Sequence, residues 1–416
     1  MARPSLPEKL NICVTSRNFP IASRPDHHGY LWPIVRGLAN RGHHVTILSS
    51  TNPLGKAEIV DSGVHAYYLN EGVVTSPTPF GELLRSRFLE THHKQPFHIL
   101  HSLDNSAILL GKTKKENHLA IAYDVEATQM GQVFSILGMA QESLSSLVTT
   151  GVALAYKFIS TFLGGDRALL KTADGVFVTS PQQRISLERY YLYPDSRVYT
   201  VPYGIEVRNF EPRPKSEGLL KELGIPSNAQ IIVTLTDMTE LEEVKNLLLA
   251  FQKVAIKKPN TRLIIIGQGP LKHQIEYEML SLALGSRVVF AGPVHTDLLT
   301  DYVSLCDVYI DLSARSSGFE PTMLEAMAQK KVIIGSEVNP IANIVEDGRD
   351  GFLVRPADTQ SISTLLIDIF EFPLLSSEIG ESARKKVVDL FDTKKMVDET
   401  ISAYKSILMR TGWYRA

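Results

Sequence analysis

The sequence predicts an α/β protein of two doubly wound domains, each a parallel sheet with helices on its faces. Three features predict this. Residues 308–358, VYIDLSARSSGFEPTMLEAMAQKKVIIGSEVNPIANIVEDGRDGFLVRPAD, read strand, helix, strand, helix, strand. The same rhythm starts twice, at Asn11 and again at Gln230, with a proline-bearing linker between. At 416 residues the chain is also too long for one ordinary core.

Asn11 to Thr15 is the first strand. A long loop ending at Gly29 leads to a helix from Tyr30 to Asn40, with Ile34, Val35 and Leu38 on one face. Val45 to Leu48 and Val64 to Leu69 are strands, and Phe80 to Thr91 is an amphipathic helix. Strands His98 to His101 and Ala120 to Tyr123 flank a helical Asn105 to Glu116. Strand Gly175 to Thr179, helix Pro181 to Tyr191 and strand Arg197 to Val201 close this half. Pro202 to Glu206 and FEPRPK form the linker. The second half runs strand Gln230 to Leu235, helix Val244 to Lys257, strand Arg262 to Gly267 and helix 270–282. Strand Arg287 to Phe290 and helix Thr296 to Leu305 follow. Strand Val308 to Leu312 comes next, and a helix opened by Pro321 at its first position, where a missing N–H costs nothing. Strand Val332 to Gly335, a short helix near Ile341 to Glu346 and strand Phe352 to Val354 complete the sheet. Helices Ser382 to Phe391 and Met396 to Met409 end the chain. The expected domains are 1–203 and 204–393.

Ligands of parallel sheets bind beyond the carboxyl ends of the strands, where helix N-termini offer free N–H groups to phosphate. The helix starts at Pro321 and near Pro340 face that edge, and Glu325 in the first turn is in reach of a ligand's hydroxyls. This stretch is the candidate nucleotide edge.

The composition is that of a globular chain, 44% hydrophobic and 21% charged. A net charge of -2 gives no attraction to nucleic acid. Cys13 and Cys306, both in or beside apolar runs, suit buried free thiols and build no disulfide framework or metal cluster. MARPSLPEKL has no apolar signal core, so a cytoplasmic location is expected. Residues 144–165 are apolar but carry Lys157 and a stripe of Val148, Val152, Ala155, Ile159 and Phe162, which suits a packed or partly membrane-facing helix more than a span. Leu83, Leu84 and Phe88 beside Arg85 and Arg87 suit either core packing or a peripheral contact with the inner face of a membrane.

Several segments resemble glycosyltransferase family 4, whose architecture is GT-B, two Rossmann-like domains facing across a cleft. They are RGHHVTIL (41–48), ADGVFVTSPQQRISL (173–187), VYTVPYGIEVRNFEP (198–212), LIIIGQGP (263–270), RVVFAGPV (287–294) and SSGFEPTMLEAMAQKKVIIGS with EDGRDGFLV. Each is weak alone; in this order they cover nearly the whole chain. The resemblance implies retaining transfer of a sugar from a nucleotide donor to an acceptor hydroxyl, with no cofactor and no obligatory metal. It places the donor on the second domain and the acceptor on the first, with a final helix, 394–416, crossing back to the first domain. The acceptor implied is a glycan, a lipid-linked sugar or a small molecule. Homo- or hetero-oligomers stay open.

The resemblance also assigns residues. Lys245 matches a phosphate-binding lysine at the start of the first donor-domain helix, and otherwise reads as a solvated helix lysine. The arginine usual upstream is replaced by Thr236-Asp237-Met238, followed by the acids Glu240, Glu242 and Glu243; Arg315 is the alternative cation. Glu325 matches the second glutamate of the E-x7-E motif, expected on the ribose hydroxyls. The first falls on Ser317, and Glu320 offers a carboxylate three positions on, or merely complements a helix dipole. Gly318, Phe319, Pro321 and Thr322 share that motif, and Gly267 and Val294 lie in two other matching segments; all are expected at the donor. Asn339-Pro340 stands where paired glycines are usual, and Asn343 where a glutamate is. In the first domain Gly29 matches the second glycine of a Gly-Gly loop, with His28 as the first. Asp124 and Glu126 replace a histidine near the acceptor, to bind a hydroxyl, accept its proton, or cap the next helix. A chain that keeps the fold but has lost transfer and binds a partner is the second hypothesis, and a nucleotide-sugar epimerase the third.

Overall fold

The computed structural model describes residues 4–17, 31–50, 55–69, 80–124, 165–313, 321–338 and 341–415. They form two compact units, Met1–Gly204 with Thr393–Ala416, and Ile205–Asp392.

The first unit is built on eight strands. These are β1 (Asn11–Ser16), β2 (His44–Ser49), β3 (Glu58–Asp61), β4 (Val64–Tyr68), β5 (Ile99–Ser102), β6 (Ala120–Asp124), β7 (Gly175–Val178) and β8 (Val198–Thr200). Their order is β3-β4-β2-β1-β5-β6-β7-β8. Every pair is parallel except β3 with β4. Every residue of β5, β6 and β7 is buried, as expected for strands covered on both faces. Alternate residues serve two cores. Ile12, Val14, Val45, Ile47, Ala122 and Phe177 meet Ile34, Val35 and Leu38 of α1 (Leu31–Asn40). Cys13, Leu48, Leu100, Ile121 and Tyr123 share the other core with α2 (Phe80–Lys94), α3 (Gly165–Thr172) and α4 (Pro181–Tyr191).

The helix Pro181–Tyr191 has the predicted ends because its cap is explicit. Ser180 Oγ accepts from Gln183 N at 3.3 Å, and Gln183 Oε1 accepts in return from Thr179 N at 2.7 Å. Two expectations need correction. β3 was not anticipated; it is a four-residue, mostly exposed edge strand turning through Ser62 and Gly63 at positive φ. Between β5 and β6 the helix is 3₁₀ and stops at Lys112. In α2, Leu84 and Phe88 are fully buried in the second core, which agrees with the core-packing reading of that stripe. The 144–165 stripe lies outside the described residues. Among the described residues no helix is long and apolar enough to cross a membrane.

The second unit carries six parallel strands, β9 (Gln230–Leu235), β10 (Thr261–Ile266), β11 (Val288–Gly292), β12 (Val308–Asp311), β13 (Val332–Ser336) and β14 (Phe352–Val354). Their order is β11-β10-β9-β12-β13-β14. The helices are α5 (Glu217–Glu222), α6 (Leu241–Lys257), α7 (Lys272–Ser281), α8 (Thr296–Leu305), α9 (Thr322–Ala328), α10 (Thr359–Glu371) and α11 (Pro373–Leu390). Leu247, Leu248 and Phe251 of α6 and Ile362, Leu366 and Ile369 of α10 pack on Ile232, Leu263, Ile265, Val308, Ile310 and Ile334. All seven residues of α9 are buried, Thr322 and Glu325 among them. Helix α11 lies close against its end: a Cβ on Gly380 would sit 2.3 Å from Lys330 O. Arg384 Nη1 donates to Ala328 O and, at 3.3 Å, to Phe210 O, while Nη2 pairs with Glu211.

Helix α10 was not anticipated, and α11 starts at Pro373 rather than Ser382. Asp358 Oδ1 accepts from Ser361 N at 2.9 Å and caps α10, and Pro373 occupies the first turn of α11. The last helix, α12 (Thr393–Thr411), returns to the first unit, where Met396, Val397, Tyr404, Ile407 and Leu408 join the core beside α1. Cys13 and Cys306 are buried free thiols, and burial pushes the Cys306 thiol up to about 12.

Candidate functional site

In the second unit the strand order reverses at β9: β10 and β11 lie on one side, β12 to β14 on the other. The loops after β9 and β12 therefore leave from the topological switch point, where open parallel sheets take their ligands. They lead into α6 and α9, the helices that carry Lys245 and Glu325.

The loop after β9 is closed on itself. Thr236 N donates to Ile266 O at 3.0 Å, Met238 N to Thr236 Oγ1 at 3.1 Å, and Leu271 N to Met238 O at 3.2 Å. Asp237 Oδ1 accepts from Thr239 N at 3.0 Å and from Thr239 Oγ1 at 2.7 Å. Gly267, at φ +117°, has a packing reason to be glycine: a Cβ there would sit 1.9 Å from Thr236 O. Gly269 is alike, with Asp237 O at 1.8 Å from its missing Cβ. The GQGP turn thus shapes the loop of the neighbouring strand.

Helix α6 begins at Leu241, three residues before the expected start, so Lys245 sits in its second turn and not at its very start. Glu242 and Glu243, expected in a long acidic loop, instead occupy the first turn and complement the positive end of the helix dipole. Lys245 Nζ lies 3.8 Å from Glu242 Oε1 with its side chain about one-third exposed.

After β12, Asp311 Oδ1 accepts from Ser313 N at 3.0 Å, and Ser336 Oγ donates to Ser313 O at 2.5 Å, tying the ends of β12 and β13. Pro321 is the cap rather than the first residue of α9, its carbonyl accepting from Glu325 N at 3.1 Å. Thr322 is fully buried, and Glu325 is 9% exposed, a carboxylate inside an otherwise apolar helix. Arg315, Ser317, Gly318, Phe319, Glu320 and Asn339-Pro340 lie outside the described residues. Asn343 falls in the short 3₁₀ turn Ile341–Asn343, its Nδ2 buried without a hydrogen bond. Val294 follows β11 and is half-buried.

In the first unit the order reverses between β1 and β5. Thr15 Oγ1 donates to Ser102 Oγ at 3.0 Å, Ser102 Oγ to Asp104 O at 2.7 Å, and Arg17 N meets Asp104 Oδ2 at 2.7 Å. His28, Gly29 and Glu126 lie outside the described residues. Asp124 is the last residue of β6 and is buried. It is joined by two residues the sequence did not single out. His101 of β5 places Nε2 3.9 Å from Asp124 Oδ2, and its Nδ1 is 2.7 Å from Tyr404 OH on α12. Burial pushes the His101 imidazole down to about 3, so it is uncharged at neutral pH. Among the described residues no three His, Cys, Asp or Glu form a metal-ligating group.

Comparison with known proteins agrees with this frame. Residues 28–204 match the family described as "Glycosyl transferase 4-like domain", and residues 216–386 the family "Glycosyl transferases group 1". The N-acetyl-alpha-D-glucosaminyl L-malate synthase of Bacillus anthracis is 24% identical over 379 residues, 89% of this chain and 91% of that protein. The sucrose-phosphate synthase of Thermosynechococcus elongatus superposes with a TM-score of 0.75 at 20% identity, over 97% of this chain and 100% of that one. HepE of Anabaena, solved with UDP-glucose, gives 0.68 at 16% identity over 97% and 99%. The two glycosyltransferase family matches thus fall one on each sheet, and the chain shares the GT-B fold, two Rossmann-like domains, of these structures.

Proposed function

We propose that the chain moves a sugar from a nucleotide-sugar donor to an acceptor hydroxyl, with retention and without an obligatory metal, in glycan, polysaccharide or glycolipid synthesis. The observation that supports this most is at the β9/β12 switch point, where the two flanking helices carry a buried carboxylate, Glu325, and a cation, Lys245. Glu325 accepts hydrogen bonds from the ribose hydroxyls. Lys245, with Arg315 and backbone N–H groups, offsets charge growing on the diphosphate as the glycosidic bond breaks. With no protein nucleophile, retention requires the acceptor on the same face as the leaving group. Asp124 binds that acceptor's hydroxyl and takes its proton, with Glu126 and Glu320 as further carboxylates for the reacting sugars. The HepE complexes with UDP and UDP-glucose make uridine nucleotides the first donors to test.

A second function, partner binding without transfer, is favoured by the charge at this edge. Asp237 stands where a cation is usual and is engaged in its own turn, and Glu242 lies beside Lys245. Incubation with UDP-, GDP-, ADP- and TDP-glucose, following nucleotide release and the anomeric proton resonance of the product, separates the two. Transfer predicts release from one donor, an α product from the α donor, and no loss with EDTA. Release from none, with a stable complex with another protein, would support partner binding, and a β product would remove retention.

A further inference from the structure

The buried polar cluster at the carboxyl end of β5 and β6 has more order than a strand end needs. His101 pairs with Ala122 in the β5–β6 register. Asp124 is two residues beyond Ala122, so His101 and Asp124 emerge on the same face of the sheet, one step apart. That face is covered by α12, whose Tyr404 is fully buried in the same core as Ala122 and Phe177. The His101 ring is enclosed by aromatic groups, with Phe177 at 4.6 Å and Tyr404 edge-on at 5.7 Å between ring centroids.

The tautomer follows from these neighbours. Nδ1 and the Tyr404 hydroxyl are 2.7 Å apart, so one of them donates. If Nδ1 donated, the bare lone pair of Nε2 would face the Asp124 carboxylate 3.9 Å away, an unfavourable arrangement inside a low-dielectric core. If Tyr404 donates, Nε2 carries the hydrogen and directs it toward Asp124. Nε2 is buried and makes no hydrogen bond as the structure stands. N–H···O bonds form at roughly 2.7–3.2 Å, so a shift of somewhat under 1 Å would close this one.

We propose that His101 and Tyr404 are positioning residues for Asp124: Tyr404 donates to Nδ1, fixes the Nε2–H tautomer, and lets His101 hold the Asp124 carboxylate in place at the ligand edge of the first sheet. The inference rests on the proposed role of Asp124 at the acceptor. It also gives the last helix a part in the site, because Tyr404 is 303 residues from His101 in sequence.

The test is the ¹⁵N–¹H long-range spectrum of the histidine rings in the full chain at pH 7, with His101 assigned by its loss in His101→Gln. The expected spectrum shows Nε2 protonated and Nδ1 as an acceptor, with a shift toward the other tautomer in Tyr404→Phe. Protonated Nδ1, or an imidazolium, would overturn the proposal whether or not any donor is turned over. Hydrolysis of UDP-glucose, with water in the acceptor's place, gives the functional arm. His101→Leu is expected to lower kcat about tenfold with KM for UDP-glucose unchanged, and His101→Gln, whose amide offers an N–H near Nε2, to recover most of it. Loss in Asp124→Asn but not in His101→Leu would overturn the positioning role alone. Unchanged hydrolysis in Asp124→Asn would overturn the role of Asp124 itself, and the positioning role with it.

Discussion

The α-carbon of Gly267 comes so near the Thr236 carbonyl that a Cβ on it would lie 1.9 Å from that oxygen. Both residues sit just past the ends of neighbouring strands, β10 and β9, and Thr236 N in turn bonds Ile266 O at 3.0 Å. The GQGP turn and the loop that leads to Lys245 are thus one packed unit.

Replacing Gly267 by alanine therefore forces two backbones apart and places a side chain at φ +117°. The expected cost is roughly 3 kcal/mol of stability in the second unit. Urea unfolding should show it, together with weaker nucleotide binding, because the β9 loop moves. Glycine 285 is the control: nothing lies within 4 Å of its missing Cβ, so Gly285→Ala carries only the strain of its own φ of +51°.

Arg384 predicts a second loss of stability. Its guanidinium joins α11 to the end of α9, through Ala328 O, and to the entering chain, through Phe210 O and Glu211. The side chain is only 17% exposed, so these are not loose surface contacts. Arg384→Ala should cost about 2 kcal/mol in denaturant unfolding. Arg384→Lys should recover little of it, because an ammonium lacks the planar fork that meets three acceptors.

Acid should weaken the first unit through its histidines. Leu10 N donates to His43 Nδ1 at 3.0 Å, Phe97 N to His92 Nδ1 at 3.1 Å, and Asn11 N to His98 Nδ1 at 2.8 Å. Each needs an unprotonated Nδ1, and burial holds all three below the ordinary histidine value. Folded values below the unfolded one mean that the unfolded chain takes up protons first. The stability is then complete above about pH 6.5 and is lost as pH falls from there. Unfolding followed at pH 7.5 and pH 5.5 should show this loss, and His98→Asn, which keeps an acceptor without the titration, should shrink it.

Much of this fold is legible in the sequence where burial is complete and caps are explicit. The strands β9, β12, β13 and β14 are short apolar runs with clear ends, and the N-terminus of α4 is capped by Ser180 with Gln183. Helix α10 was missed although Asp358 caps it and Ile362, Leu366 and Ile369 mark its buried face. The start of α6 was placed late because Glu242 and Glu243 look like loop residues while in fact lying in a first turn. Edge strand β3 has too little buried surface to leave a pattern. At the candidate site, the sequence places Glu325 in the first turn of a helix after β12, and the structure has it there, buried. The His101–Tyr404 contact was not, because no local pattern links residues brought together only by the return of α12 to the first sheet.

The central claim is that Glu325 at the β12–α9 edge holds the ribose of a nucleotide. Calorimetric titration of the intact protein with UDP, GDP, ADP and TDP, repeated on Glu325→Gln and Glu325→Ala, tests it most directly. One nucleotide should bind, and both variants, folded by circular dichroism, should bind it at least about thirtyfold more weakly, the equivalent of roughly 2 kcal/mol for lost bonds to a charged acceptor. Equal affinity in the folded variants would contradict the role of Glu325. Binding of none by the intact protein would contradict a working donor site.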